Sequence, residues 1–221
     1  MAIAFDAASS GSAVSGTTVT VAHTCTGTNL ILLVATRNDA NETTSGITYA
    51  GVSMTQVPTV SPINYHTGGN MTMWYLFAPA TGANNIVATC TTITSVVVRG
   101  YSLTGAKQSG FPDASSNANS LTNVGGLTTS TTVVASNCWV SSYFSNNSGG
   151  GTNAGTGAFL RSADASNGWF DSNGTVATGA YSMTVNNTGT AQCGMISVSI
   201  APSVAATSGK NFPTLTLLGV G

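Results

Sequence analysis

Short runs of β-branched and apolar residues, bounded by Gly, Asn, Ser or Thr, recur along almost the whole chain. Clear examples are residues 29–36 (NLILLVAT), 71–78 (MTMWYLFA) and 194–200 (GMISVSI). Runs of this kind, separated by turn residues, are typical of β-strands. No window long enough for a helix sustains a 3.6-residue period, because glycines and β-branched residues interrupt it. The pattern predicts an all-β fold, an antiparallel β-sandwich that is jelly-roll-like and has about a dozen strands. It excludes parallel βαβ folds.

Individual segments make this prediction more specific. Segment 29–36 is apolar throughout, which predicts a strand buried on both faces. Ala50-Gly51 separates two β-runs and predicts a two-residue hairpin turn. Segments 104–120 and 145–157 are rich in turn residues and are expected to be long loops, whereas 181–185 and 194–200 are expected to be separate strands. We therefore expect one β-sandwich domain over residues 1–202, followed by a linker and an apolar arm over 203–221.

Charged residues are scarce in this chain. Lys and Arg supply 5 and Asp and Glu supply 6 of 221 residues, so the net charge is −1. This balance gives no electrostatic attraction to nucleic acid, and a hydrophobic content of 42% argues against disorder. The longest apolar run, 30–35, is far shorter than the roughly 20 residues that span a membrane, and the chain begins without a secretory signal pattern. We expect neither a nucleic-acid partner nor a membrane partner.

The residues that most often carry catalysis are few and poorly placed. The two histidines form no HExxH motif, and no GxSxG or phosphate-binding loop occurs. We therefore expect no catalytic residues, no cofactor and no enzymatic activity. The cysteines lack the spacing of metal ligands and are interpreted as buried free thiols. The alternative is at least one disulfide, with Cys25 and Cys90 as the first pair to test.

The segment around residues 164–174 contains a weak candidate for a metal site. Asp164, Asp171 and Asn173, followed by Gly174, resemble half of a calcium-binding loop. The closing glutamate of such a loop is absent, and turn formation by Asp and Asn explains the same residues. Calcium binding is therefore the minor interpretation here.

Several aromatic residues are candidates for sugar contacts. Trp169, Phe170 and Tyr65 fall in apparent loops, where an exposed ring could stack on a sugar face. Trp74 and Trp139 fall in apparent strands and are expected in the core. The structural alternative is that the loop aromatics are covered by their own loops.

Arg99 interrupts the apolar run 96–101. Its side chain either faces solvent or an interface, which is the favoured interpretation, or pairs with a carboxylate.

The C-terminal residues form a further candidate contact surface. Apolar side chains repeat near the end of the chain, at Phe212, Leu215, Leu217, Leu218 and Val220. Exposure of these side chains at a terminus would be unfavourable in water unless they dock. They form either a last strand of the chain's own sandwich or an arm that adds to a neighbouring subunit.

Five segments resemble a broad group of uncharacterised all-β modules found in tailed-phage virion proteins and bacterial surface proteins. They are 4–11 (AFDAASSG), 46–55 (GITYAGVSMT), 73–80 (MWYLFAPA), 170–174 (FDSNG) and 197–202 (SVSIAP). The resemblance covers residues 4–202, and its motifs are folding features that carry no catalytic residues. It implies a fold and a setting, and it leaves the segment 203–221 outside.

The resemblance implies a virion structural protein. The favoured hypothesis is a capsid decoration or cement protein, made in the host cytoplasm and located in the virion. It would stabilise a phage head through loop and arm contacts with other capsid proteins. A homo-oligomer is expected, with a trimer suggested by analogy. The alternatives are a tail fibre or other host-binding protein, or a bacterial surface module, that recognises glycans.

Overall fold

A computed structural model describes residues 1–203 of the chain, and all of its regular structure is β. Sixteen strands occur in these residues, somewhat more than expected, and every pairing between them is antiparallel. The predicted all-β, antiparallel sandwich is therefore confirmed, while jelly-roll connectivity stays a prediction. In residues 1–203, no helix is long and apolar enough to cross a membrane. The strands are β1 (Ala4–Ala13), β2 (Thr18–Cys25), β3 (Ile31–Asn38), β4 (Thr44–Tyr49), β5 (Val52–Ser53), β6 (Thr55–Gln56), β7 (Ile63–His66), β8 (Gly69–Phe77), β9 (Gly82–Cys90), β10 (Val96–Thr104), β11 (Ala114–Val133), β12 (Trp139–Asn146), β13 (Thr152–Ala154), β14 (Phe159–Ala163), β15 (Asn167–Asp171) and β16 (Gly179–Ile200).

The strands form three sheets. The outer sheet has the order β2-β9-β4-β5, and the middle sheet has the order β1-β10-β3-β8-β6 with β7 also on β8. The C-terminal sheet has the order β11-β16-β12-β15-β14, with β13 on β16. The first two sheets use strands from the N-terminal half of the chain, and the third uses only strands that follow residue 113.

The middle sheet is covered on both faces. On β3, Leu32 and Val34 pack into an apolar cluster with the outer sheet, whereas Ile31 and Leu33 pack into a cluster with the C-terminal sheet. All four side chains are fully buried. The prediction that this segment is buried on both faces is therefore confirmed. We call the space between the outer and middle sheets the first interlayer, and the space between the middle and C-terminal sheets the second interlayer.

The long strands β11 and β16 form a ribbon that folds back on itself. Their pairing is irregular near residues 120–126, and beyond this point the ribbon covers the far face of the C-terminal sheet. Two hydroxyl pairs join its halves: Ser116 Oγ lies 2.6 Å from Thr131 Oγ1, and Thr129 Oγ1 lies 2.6 Å from Ser197 Oγ. The prediction of a loop over 104–120 is therefore wrong from residue 114 onwards, where β11 begins. The prediction that 181–185 and 194–200 are separate strands is also wrong, because both segments belong to β16.

Two local predictions are confirmed. The β4–β5 hairpin turns at Ala50 and Gly51, both at positive φ (50° and 79°), as a two-residue turn of primed type requires. The four cysteines, Cys25, Cys90, Cys138 and Cys193, are buried free thiols, so the alternative Cys25–Cys90 disulfide is not formed. Segment 145–157, expected to be a loop, contains the short strand β13 and begins with the end of β12.

The predicted arm residues Phe212, Leu215, Leu217, Leu218 and Val220 lie outside the described residues. The boundary of the sandwich domain at residue 202 stays a prediction.

Candidate functional site

The second interlayer contains a buried arginine that the sequence interpretation placed elsewhere. Arg99 on β10 is 2% exposed, and its NH2 group donates to Asp164 Oδ2 at 2.7 Å. Its Nε donates to Asn167 Oδ1, and its NH1 donates to Ser162 Oγ at 2.9 Å. The favoured solvent-facing position of Arg99 is therefore wrong, and the alternative of a carboxylate partner is confirmed. This pairing is what lets a guanidinium group be buried at all.

Asp164 is held in its ionised form by these neighbours. Burial raises the pKa of its carboxyl group, but backbone N–H donation from Ser166 and the Arg99 guanidinium lower it by more. The pKa of Asp164 consequently lies below its ordinary value. The Arg99–Asp164 pair is thus formed at neutral pH and connects β10 of the middle sheet to the turn before β15.

A second carboxylate, that of Asp171, is fully buried in the same interlayer. Its Oδ2 accepts hydrogen bonds from Tyr101 Oη at 2.5 Å and from Arg161 Nε at 2.7 Å. Burial raises the pKa of Tyr101, and the adjacent Asp171 carboxylate raises it further, so the phenol remains a donor. Arg161 also donates to Asn173 Oδ1 at 2.7 Å.

These contacts bear directly on the calcium hypothesis. Asp164, Asp171 and Asn173 point their oxygens at two arginines, so they do not surround a common position. In residues 1–203, no group of three or more His, Cys, Asp or Glu side chains is placed to hold a metal ion.

The three proposed sugar-contact residues are core residues. Trp169 and Phe170 lie on β15 and Tyr65 lies on β7, and all three side chains are fully buried. The Trp169 ring stacks on Tyr101 with centroids 5.1 Å apart and an interplanar angle of 21°. Their predicted position in loops is therefore wrong, and these rings cannot reach a sugar in solution. Trp74 and Trp139 are buried as expected.

A third polar cluster lies at the rim of the second interlayer. Arg37 NH2 is 3.2 Å from Asp39 Oδ2, and Arg37 Nε donates to the Tyr65 hydroxyl at 2.9 Å. The same Asp39 accepts from Tyr65, and its Oδ1 lies 3.2 Å from His66 Nε2. This cluster fastens the end of β3 to β7, and His66 is one of its members.

The remaining carboxylates hold loops in place. Glu42, 1% exposed, accepts from the Thr94 hydroxyl at 2.5 Å and from the backbone nitrogens of Thr94 and Ser95. Asp113 accepts from the backbone nitrogens of Val134 and Ala135. Together with the ion pairs, these contacts give nearly every charged side chain in residues 1–203 an intramolecular role.

The two outer faces of the layered molecule are, by contrast, uncharged. Strands β2, β4 and β9 of the outer sheet contain no Asp, Glu, Lys or Arg, and neither does the β11–β16 ribbon. The exposed positions of β2 are Thr18, Thr20, Ala22 and Thr24. The exposed positions at the end of β11 are likewise threonine and serine, at 128, 130 and 132.

A small cleft opens where the first interlayer reaches the edge of the sheets. It has a volume of about 220 Å³, and all but one of its lining side chains are uncharged hydrogen-bonding groups. We call it the polar cleft, and its lining residues are Thr43, Thr44, Gln56, Pro62, Asn64, Asn70 and Thr72.

Comparisons of the chain with protein-family models, with curated proteins and with solved structures found no match.

The polar cleft was not predicted from the sequence, and no sequence signal marks it. Its side chains come from four strands, β4, β6, β7 and β8, and from the segments next to them. Asn and Thr in such segments are equally typical of turns and exposed strand faces. Only the register of these strands brings the groups together.

Proposed function

We propose that this protein is a structural component of a phage virion, most specifically a decoration or cement protein that stabilises the head. In this proposal the protein assembles as a homo-oligomer, with a trimer suggested by analogy, and contacts other capsid proteins through loops and the arm. The proposal rests on the sequence resemblance and on the distribution of charge in the fold.

The charge distribution is the observation that carries the proposal. Both outer faces present Thr, Ser, Ala and Asn, while the arginines and most carboxylates are used inside the molecule. An uncharged face can pack against a neighbouring protein without the desolvation cost of burying an ion. Buried, paired charges between layers meanwhile favour one arrangement of the sheets. Both properties suit a rigid part of a larger assembly.

The C-terminal arm is the second part of the proposal. Phe212, Leu215, Leu217, Leu218 and Val220 would attach one copy to a neighbouring subunit or to the capsid by strand addition. Ser203 is the last described residue, and its carbonyl oxygen accepts from the Met1 amino group at 2.7 Å. Truncation after Ser203 therefore keeps this contact and every described strand.

The glycan-recognition alternative loses the residues on which it was based. Trp169, Phe170 and Tyr65 are buried inside the protein. They therefore cannot form the exposed aromatic surface on which the host-binding role was based.

The test compares the full chain with the chain truncated after Ser203. We expect the full chain to sediment as an oligomer and to co-sediment with heads that lack it, and the truncated chain to do neither. A double variant, Leu215→Asn with Leu217→Asn, should behave like the truncation. The matched control, Thr214→Asn with Thr216→Asn, changes the alternate positions and should behave like the full chain.

The proposal has two separate points of failure. If the truncated chain still decorates heads normally, the arm has no role in attachment. If mass spectrometry of purified phage particles does not detect the protein, the virion assignment itself is wrong.

A further inference from the structure

We infer that the polar cleft is a binding site for a neutral, hydroxyl-rich ligand of the size of a single sugar ring. This inference is independent of the proposed virion role. It depends on the lining groups, on the contacts that hold them and on the size of the cleft.

The floor of the cleft is built by the middle sheet. Asn64 on β7 pairs in register with Asn70 on β8, and Gln56 on β6 pairs with Trp74 two residues beyond Thr72. The side chains of Asn70, Thr72 and Trp74 alternate with the buried Met71 and Met73, so they share the face that turns towards the outer sheet. Thr43 and Thr44, at the start of β4, form the opposite wall.

Hydrogen bonds behind the cleft hold its deepest groups in place. The Trp74 indole nitrogen donates to Thr72 Oγ1 at 2.8 Å, and Thr72 Oγ1 lies 2.6 Å from Thr36 Oγ1. The Asn70 carboxamide accepts from Asn38 Nδ2 at 3.0 Å and donates to the Glu42 carbonyl oxygen at 2.5 Å. Because these partners are buried, the cleft is organised before a ligand arrives, and this reduces the entropic cost of binding.

Groups nearer the mouth remain available to a ligand. Gln56 donates from its amide nitrogen to Ser61 Oγ at 3.1 Å, which leaves its carbonyl oxygen as an acceptor. The Asn64 side chain is exposed, so its carboxamide is accessible. A carboxamide both donates and accepts, as a sugar hydroxyl does, so the two are complementary. The Pro62 ring offers an apolar surface for the C–H groups of a pyranose ring.

The same lining excludes other ligand classes. No charged side chain lines the cleft, so nothing there compensates the charge of a phosphate, a carboxylate or a metal ion. The volume of about 220 Å³ is below the range of about 300–1,000 Å³ that is typical for drug-sized ligands. One sugar ring, as a terminal residue of a glycan or as a free monosaccharide, matches both the chemistry and the size.

The test is a titration followed by NMR of the uniformly labelled full chain. The probes are glucose, galactose, mannose and N-acetylglucosamine, each to about 20 mM, a concentration that detects dissociation constants in the millimolar range. Glucuronic acid serves as a charged probe of similar size. We expect at least one neutral sugar to shift the backbone amide signals of Gln56, Asn64 and Asn70, with glucuronic acid binding more weakly.

Two variants separate a site from non-specific contact. Asn64→Ala removes an exposed carboxamide from the cleft and should weaken binding about tenfold, the loss of one hydrogen bond. Asn85→Ala removes an exposed carboxamide from the outer sheet and should leave binding unchanged. Thermal unfolding of both variants verifies that they fold.

Three results would overturn the inference. They are the absence of shifts with every neutral sugar, equal weakening by both variants, and tighter binding of glucuronic acid than of the neutral sugars.

Discussion

The two interlayers of this protein are held together by different chemistry. The first interlayer buries mainly aliphatic side chains, such as Val21, Leu32, Val34 and Ile86. The second interlayer combines stacked aromatic rings with the ion pairs found in residues 1–203. Aliphatic burial is non-directional and tolerates small shifts, whereas a buried guanidinium needs its carboxylate in one place. The second interlayer should therefore fix the relative position of its two sheets more strictly than the first. Its stability should also fall more when a single polar group is lost.

The largest expected effect comes from removing the buried carboxylate of the second interlayer. Asp171→Ala leaves Arg161 and the Tyr101 hydroxyl without their shared acceptor. Loss of one partner from a buried ion pair costs about 3–5 kcal/mol. The free energy of unfolding, measured by urea titration, should fall by this amount.

The matched control for Asp171 is a carboxylate beside the first interlayer. Asp6 accepts from Ser102 Oγ at 2.7 Å and from Thr26, and it is only partly buried. Asp6→Ala should cost about 1 kcal/mol, the contribution of ordinary hydrogen bonds. An equal loss from both variants would show that the two interlayers do not differ in this respect.

Two neighbouring leucines test the apolar part of the comparison. Leu32 faces the first interlayer and Leu33 faces the second, and both are fully buried on the same strand. Leu32→Ala and Leu33→Ala should each lower the free energy of unfolding by about 2–5 kcal/mol through lost burial and a residual cavity. If both variants lose a similar free energy of unfolding, the apolar parts of the two interlayers are equivalent, and the difference between the interlayers comes from their charged groups. A loss confined to one variant would contradict this and show that one apolar cluster dominates stability.

The same leucines show how much of the fold the sequence could predict. The continuous apolar run of β3 indicated burial on both faces, and Ala50-Gly51 indicated the hairpin, because both are local signals. The folded β11–β16 ribbon was not predictable, because residues 114–126 are rich in Ser, Asn and Gly and show no strand alternation.

The polar features depend on contacts between distant parts of the chain. Arg99 is buried because Asp164, 65 residues later, lies on the sheet that covers it. Trp169 and Phe170 were assigned to a loop because Asp and Asn residues surround them, yet those residues accept hydrogen bonds at the ends of a buried strand. Alternatives could be stated from the sequence, but the choice between them required the packing of the sheets.

Acid should lower the stability of the two interlayers in different pH ranges. His23 in the first interlayer is 2% exposed and lies 2.8 Å from Ser9 Oγ and 3.1 Å from Ser102 Oγ. Burial lowers its pKa below 6.5, although the Asp6 carboxylate opposes this. The unfolded chain therefore binds this proton more readily, and stability is lost as the pH falls below about 6.5.

Asp164 gives the second interlayer its own, lower pH range. Its pKa is lowered from 3.8, so the stability it contributes is present above this value and is lost as the pH falls further. Urea titrations between pH 8 and 2.5 should thus show two falls in the free energy of unfolding. His23→Gln should remove the upper fall and leave the lower one, whereas Asp164→Asn should reduce the lower fall and leave the upper one. Each variant serves as the control for the other, and a single fall unaffected by either would refute the assignment.

The smallest expected effect lies in the outer sheet, at the turn between β4 and β5. Ala50 is held at φ 50°, a conformation that costs an alanine more than an asparagine, whose side chain stabilises it. Ala50→Asn should raise the free energy of unfolding, by no more than about 1 kcal/mol, the lower end of such backbone strain. Ala22→Asn places the same side chain on the exposed face of β2, where no positive φ exists to relieve, and should give no gain. A gain at Ala50 alone would show that the stability of the outer sheet responds to the backbone geometry of its β4–β5 hairpin.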